Sequence, residues 1–333
     1  MLIRLTAAVL CVIAISAASS ASASAGERYN PYEERRDSSL SFFIGERTWL
    51  STGDNEWTIA GTPAGGPPNI LSELEFLDLD STVVEIFGGF RGGAGALTLR
   101  YGFGSLDNGI YRDSDYLLDN RQGIFSLSTG NADDDDPHAL HYYGIDYSYR
   151  LLSRWREGEI ATGYLDLIIG YQRWYEDFTM TNGLQVICTL PCNIGTGPFA
   201  GLNSHYFVDW QSLRVGFEAS LPLSRGLFLK GNALYIPYTS YKGEGIWNLR
   251  SDFKQNPSFA HEADGGQGVE AEASLGYRIG ETLEIEAGYR YWYIKSEEGT
   301  DIVFFSNGFI GITRLNEVVS ERQGAFLTLT LLF

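Results

Sequence analysis

Three stretches of this chain alternate apolar and polar residues with a period of two, which restricts each to a β-strand with two unlike faces. Along 213–221, Leu213, Val215, Phe217, Ala219 and Leu221 alternate with Arg214, Gly216, Glu218 and Ser220. Along 269–278, Val269, Ala271, Ala273, Leu275 and Tyr277 alternate with Glu270, Glu272, Ser274, Gly276 and Arg278. Along 283–293, Leu283, Ile285, Ala287, Tyr289, Tyr291 and Tyr293 alternate with Glu284, Glu286, Gly288, Arg290 and Trp292. A soluble sandwich would turn the polar face to water and the apolar face to a core. Here the polar faces carry ionisable groups of both signs at corresponding strand positions, which suits a narrow barrel interior filled by ion pairs. The apolar faces would then meet lipid.

Extended along the chain, the pattern predicts an all-β fold: an antiparallel transmembrane β-barrel of about ten strands. They fall near 38–50, 70–90, 94–106, 139–152, 161–179, 203–222, 225–243, 266–280, 281–297 and 320–333. Short turns at 91–94, 153–159, 224–226 and 280–281 alternate with long polar segments at 51–69, 107–138, 180–202, 244–265 and 298–319. The short turns are expected on the periplasmic side, and the long segments as five extracellular loops. Several strands exceed the roughly 9–11 residues that a bilayer needs, so the barrel should project above it. Asp78 and Asp80, two apart on the second strand, are expected to face the lumen and pair with an arginine such as Arg100.

The first 25 residues read as a cleaved signal peptide, with Arg4, an apolar run Leu5 to Ile15 and the small-residue site Ala23-Ser24-Ala25. Residues 26–333 would then form one barrel domain in the outer membrane. The formal charge of −18 argues against nucleic acid as a partner, because phosphate binding needs a basic face. Cys188 and Cys192 bracket Thr189-Leu190-Pro191, and export to an oxidising compartment favours a disulfide between them. The last strand, Phe326 to Phe333, alternates up to a terminal aromatic, the kind of segment through which the barrel-assembly machinery would be engaged.

Over most of its length the chain resembles the omptin family of outer-membrane proteases. The resemblance rests on the ten strands, the five outer loops and several local matches in order. Leu71-Ser72-Glu73-Leu74-Glu75-Phe76 resembles the family's Leu-Ser-x-Leu-Asp-Trp, Asp113-Ser114-Asp115-Tyr116 its Asp-x-Asp-Trp, and Gly170-Tyr171-Gln172 its Gly-Tyr-Gln. Glu46-Arg47 resembles a Glu-Arg whose glutamate helps hold a basic substrate side chain. The resemblance implies that Asp113 and Asp115 are half of a catalytic site. The other half, an Asp-x-His whose imidazole takes a proton from the attacking water, is missing: Tyr238 to Trp247 holds neither residue.

Of the four histidines, His261 with Asp264 could supply a relocated base, while the plainer reading leaves His138, His141, His205 and His261 as loop residues facing water. The resemblance further implies lipopolysaccharide bound near Tyr171 and Arg173, though Arg173 and Tyr175 stand where the family has Glu and Arg. The run Asp133-Asp134-Asp135-Asp136 could gather calcium but reads more simply as a solvated loop, and no metal or other cofactor is expected. Three functions compete. The first is a non-proteolytic omptin-like barrel whose loops bind or protect, the second an omptin-type endopeptidase cleaving near basic residues, and the third a small pore.

Overall fold

The structure, a computed structural model, describes residues 40–154 and 163–333. The expected signal peptide and most of the expected turn at 153–159 lie outside the described residues. Fifteen strands and no helix occur among them: β1 (Ser41–Ile59), β2 (Ser72–Gly92), β3 (Gly95–Gly104), β4 (Leu106–Leu118), β5 (Gln122–Asp134), β6 (Leu140–Arg154), β7 (Gly163–Cys188), β8 (Gly197–Pro198), β9 (Ser204–Ser224), β10 (Leu227–Ile246), β11 (Phe259–Asp264), β12 (Gly266–Ile279), β13 (Leu283–Ser296), β14 (Gly299–Phe304) and β15 (Ile310–Leu332).

Their antiparallel pairings close on themselves twice. A lower ring of ten strands runs β1–β2–β3–β6–β7–β9–β10–β12–β13–β15 and returns to β1. An upper ring runs β1–β2–β4–β5–β7–β9–β10–β11–β14–β15 and also returns to β1. Six long strands pass through both rings, and the short pairs β3/β4, β5/β6, β11/β12 and β13/β14 complete the other four staves. The even number of staves leaves no open edge.

The polarity of the two faces inverts between the rings. In the lower ring Ile44, Leu50, Ile86, Phe90, Ile169 and Leu329 point outward and are exposed, while Glu85, Asp146, Asp166 and Arg290 are buried inside. In the upper ring the outward positions of β2 are Glu75 and Glu73, the latter covered by Tyr116 and Arg121, and the inward ones are Leu74 and Phe76, both fully buried. On β7 the outward Asp177 and Thr179 likewise alternate with the buried Phe178 and Met180. An outward apolar band suits lipid and an outward polar band suits water, so the boundary falls partway up each stave. The same inversion corrects the loop assignment. Much of 51–69, 107–138, 180–202, 244–265 and 298–319 is strand, because its polar residues are the outer face of a turret above the membrane.

The expectation for Asp78 and Asp80 also fails. Asp78 has φ 55° and sits at a bulge opposite Asp54, which turns Leu79 inward and leaves Asp78 and Asp80 exposed. Arg100 pairs instead with Asp146.

Successive layers fill the lumen. In the lower ring Arg214 reaches Asp146 at 2.6 Å and Glu270 at 2.7 Å, Arg290 lies 3.0 Å from Glu270, and Arg47 lies 2.7 Å from Glu272. Next comes an aromatic stack, with Trp174 4.6 Å from Trp292 and 4.7 Å from Tyr142 between ring centroids. Arg322 with Glu176 at 2.9 Å, and Trp210 against Tyr241 at 4.4 Å, continue the filling upward. Phe76, Phe178, Tyr206, Trp57 and Phe259 complete it within the turret. Below the ion-pair layer a charged cavity of ≈ 340 Å³ remains, lined in part by Arg91, Arg150, Glu218, Lys230 and Glu286.

Candidate functional site

Asp113 and Asp115 stand on β4 in register with Leu74 and Ser72 of β2, which places both on the inner face of the turret. Ser72 of β2 and Ser126 of β5 are the register partners of Asp115 on its two sides. Burial, and then the charge of Asp115, push Asp113 well above the usual carboxylate range; burial also raises Asp115. The opposing influence is Arg250, carried by the connection between β10 and β11. Its guanidinium pairs with Asp252 at 2.8 Å and lies 3.9 Å above the Phe253 ring.

β11 lies five strands from β4 in either direction around the upper ring, so His261 projects from the opposite wall. It is 1% exposed, which corrects its reading as a water-facing loop residue. Its Nδ1 is 2.8 Å from the Tyr206 hydroxyl, and its Nε2 is 3.2 Å from Asp301 Oδ1. Thr313 donates a 2.7 Å hydrogen bond to the other oxygen of Asp301. Burial holds the Tyr206 phenol well above its ordinary range, and so protonated, and its hydroxyl also meets that of Tyr241. The edge of Trp57 packs against His261 at 4.7 Å, and Phe259 lies 5.0 Å away.

The acidic pair and the imidazole thus face one lumen but do not meet. Trp57 is paired with Leu74, whose other neighbour is Asp113, and the Trp57 ring reaches across to His261. Apolar packing therefore lies beside both groups within the turret. Nδ1 of His261 meets the Tyr206 hydroxyl, whereas its buried Nε2 lies near Asp301 without a hydrogen bond.

Several expected site residues take other positions. Asp264 is exposed on the outer face and does not touch His261; its expected role falls to Asp301, which is His261's register partner on β14. Glu46 is not at the mouth. It is exposed on the outer face of the lower ring, between Ile86 and Leu329, because the inward position belongs to Arg47. Tyr171 and Arg173 do share the outer face, where Arg173 grips Asp209 with bonds of 2.9 and 2.7 Å and lies 4.7 Å over Tyr175. Cys188 and Cys192 are joined as a disulfide after the end of β7. Of the remaining histidines, His138 packs near Phe103, His141 stacks on Tyr175 and His205 contacts Thr179, all outside the barrel. Sequence reasoning missed Asp301, Tyr206, Trp57 and Arg250. The inward period-two set of β11 and β14 was the available signal, but both lay in segments read as loop.

Residues 50–333 match the family described as Protochlamydia outer membrane protein (Pom), and the chain belongs to that family. No curated relative matches the sequence. Among solved structures, the outer membrane protease OmpT from Escherichia coli is similar, with a TM-score of 0.69 and 11% identity, over 90% of this chain and 98% of that one. The translocator domain of the autotransporter NalP from Neisseria meningitidis aligns over 98% of this chain and 97% of its own, at 11% identity and a TM-score of 0.36. The chain is an integral outer-membrane β-barrel with an omptin-like fold.

Proposed function

We propose that this barrel is a sealed, non-proteolytic member of the outer membrane, whose turret serves binding or protection of the envelope. The observation that carries this reading is the seating of His261: 1% exposed, with one nitrogen at Tyr206 and the other at Asp301. A general base must come within hydrogen-bond reach of the proton it removes. Here the shared core of Trp57, Leu74 and Phe259 occupies that space. Asp113 and Asp115 then act as a part-buried acidic pair countered by Arg250, not as orienters of an attacking water.

Lipid enters the proposal at the outer face. Tyr171, Arg173 and Tyr175 lie just above the apolar band, where lipopolysaccharide headgroups would stand. The strand ending at Phe333 pairs with the start of β1 and is the segment the barrel-assembly machinery would engage.

The test is the refolded barrel with lipopolysaccharide and a fluorogenic arginine-containing peptide. No cleavage is expected from protein whose folding is confirmed by faster migration unboiled than boiled. Cleavage that disappears in both Asp113→Asn and His261→Ala would overturn the reading in favour of an endopeptidase.

A second reading, a small pore, is favoured by the charged cavity of ≈ 340 Å³ in the lower lumen. Single-channel recording separates the two. Stable conductance steps from the wild-type barrel support the pore, and a silent bilayer supports the sealed barrel.

A further inference from the structure

On the outer face of the turret, Asp134 of β5, Asp177 of β7 and His205 of β9 bring their ligand atoms within 4.8 Å of one another. The strands explain the meeting. β5, β7 and β9 are consecutive in the upper ring, with Asp177 two positions from Thr179 and Thr179 in register with His205. Asp177 and His205 therefore leave the same face, and Asp134, the last residue of β5, turns its carboxylate to the same place, where it meets Thr179. The Thr179 hydroxyl stands among them, donating to Asp134 Oδ2 at 2.8 Å and lying 3.0 Å from His205 Nδ1.

One detail distinguishes this cluster from an ordinary surface ion pair. The Asp177 Oδ1 atom has no contact with solvent and no hydrogen-bond partner, with His205 Nδ1 too far away for a bond at 3.7 Å. A shielded carboxylate oxygen without a donor is costly, and a cation placed between it and the imidazole would satisfy it.

The geometry points to a divalent transition-metal site formed by Asp134, Asp177 and His205. One nitrogen and two carboxylate ligands match the donors that zinc accepts, with a position left open for water. An all-oxygen preference makes calcium a poorer match. The place in the fold suggests a structural use. β5 ends at Asp134 and the stave resumes as β6 at Leu140, so a metal there would pin the turret across the break between the two rings.

The experiment is calorimetric titration of the folded full-length barrel in detergent with Zn²⁺, and separately with Ca²⁺. One zinc per chain is expected, with much weaker binding of calcium. His205→Ala should weaken zinc binding by about 100-fold or more, since even outer-shell losses cost roughly 10–100-fold. Asp134→Asn tests the set from a second strand, and heat-modifiability shows that each variant folds. Zinc should also raise the unfolding temperature of the wild type but not of His205→Ala. Failure to bind zinc overturns the proposal. So does binding that survives both variants but is lost in a His138→Ala, His141→Ala double variant, because the metal would then belong to the neighbouring histidines.

Discussion

His261 and Asp301 face each other from adjacent strands inside the turret, with Nε2 3.2 Å from Oδ1 and neither side chain more than 2% exposed. With Tyr206 on the other nitrogen and Thr313 on the other oxygen, they form a closed polar chain within an aromatic core. Such a chain couples the packing of β9, β11, β14 and β15, because the Tyr206 and Thr313 hydroxyls meet their buried partners only when these strands are in place.

The first prediction follows from that closure. Asp301→Ala should leave His261 Nε2 and the Thr313 hydroxyl without their buried partner, at a cost of about 1–3 kcal/mol. The midpoint of the heat-modifiability transition should fall, while His205→Ala, on the outer face, should move it little in metal-free buffer. Equal effects of the two would contradict a structural role for the buried pair.

The lower barrel was legible from sequence because lipid on one side and ion pairs on the other produce strict alternation. Arg214 and Glu270, read as inward from their period alone, do meet in the lumen at 2.7 Å. The turret was not legible, since inverting the two faces makes the segment look like polar loop. Glu73 and Glu75 suggest solvent, although Leu74 and Phe76, which alternate with them, are core. The same inversion hid Asp301, so the partner of His261 was sought at Asp264, its neighbour in sequence. Asp78 failed for another reason: a single bulge reverses every face beyond it, and nothing in the local composition announced one.

The acidic pair should make stability pH-dependent. Burial raises Asp113 and Asp115 in the folded barrel above their unfolded values near 3.8. A carboxyl raised by folding favours the folded state while it is protonated, and that contribution is lost as pH rises through the folded pKa. Asp113→Asn should therefore match the wild type below about pH 4 and become the more stable protein as pH rises toward neutrality. Thermal midpoints of both proteins across that range check this. A difference that stays flat, or reverses, would show that Arg250 fully compensates the pair.

The ion-pair layer should respond differently to one substitution than to two. Arg214→Leu leaves Glu270 and Asp146 short of a fully buried partner, and breaking such a pair typically costs about 3–5 kcal/mol. Replacing Arg214 and Glu270 together by leucine removes the stranded charge and should recover part of that loss. Denaturant midpoints of the folded barrel in detergent give the comparison. A double variant worse than the sum of the single ones would mean that the pair contributes more than its desolvation costs.

The last prediction concerns access to His261. The outer histidines His138, His141 and His205 lie on the barrel's exterior, whereas His261 is sealed by Trp57, Phe259 and Tyr206. Diethyl pyrocarbonate should label the outer three in the folded wild type and spare His261, as mass spectrometry of the peptide containing it would record. Trp57→Ala removes the ring that stands between the imidazole and the Asp113 wall, and the cavity left should admit reagent and water. Labelling of His261 should then rise toward the level of the outer histidines, while the barrel still migrates as folded before boiling. If His261 is labelled in the wild type as fast as His205, the lumen opens on the timescale of the reaction. The sealed reading would then give way to one in which the turret breathes.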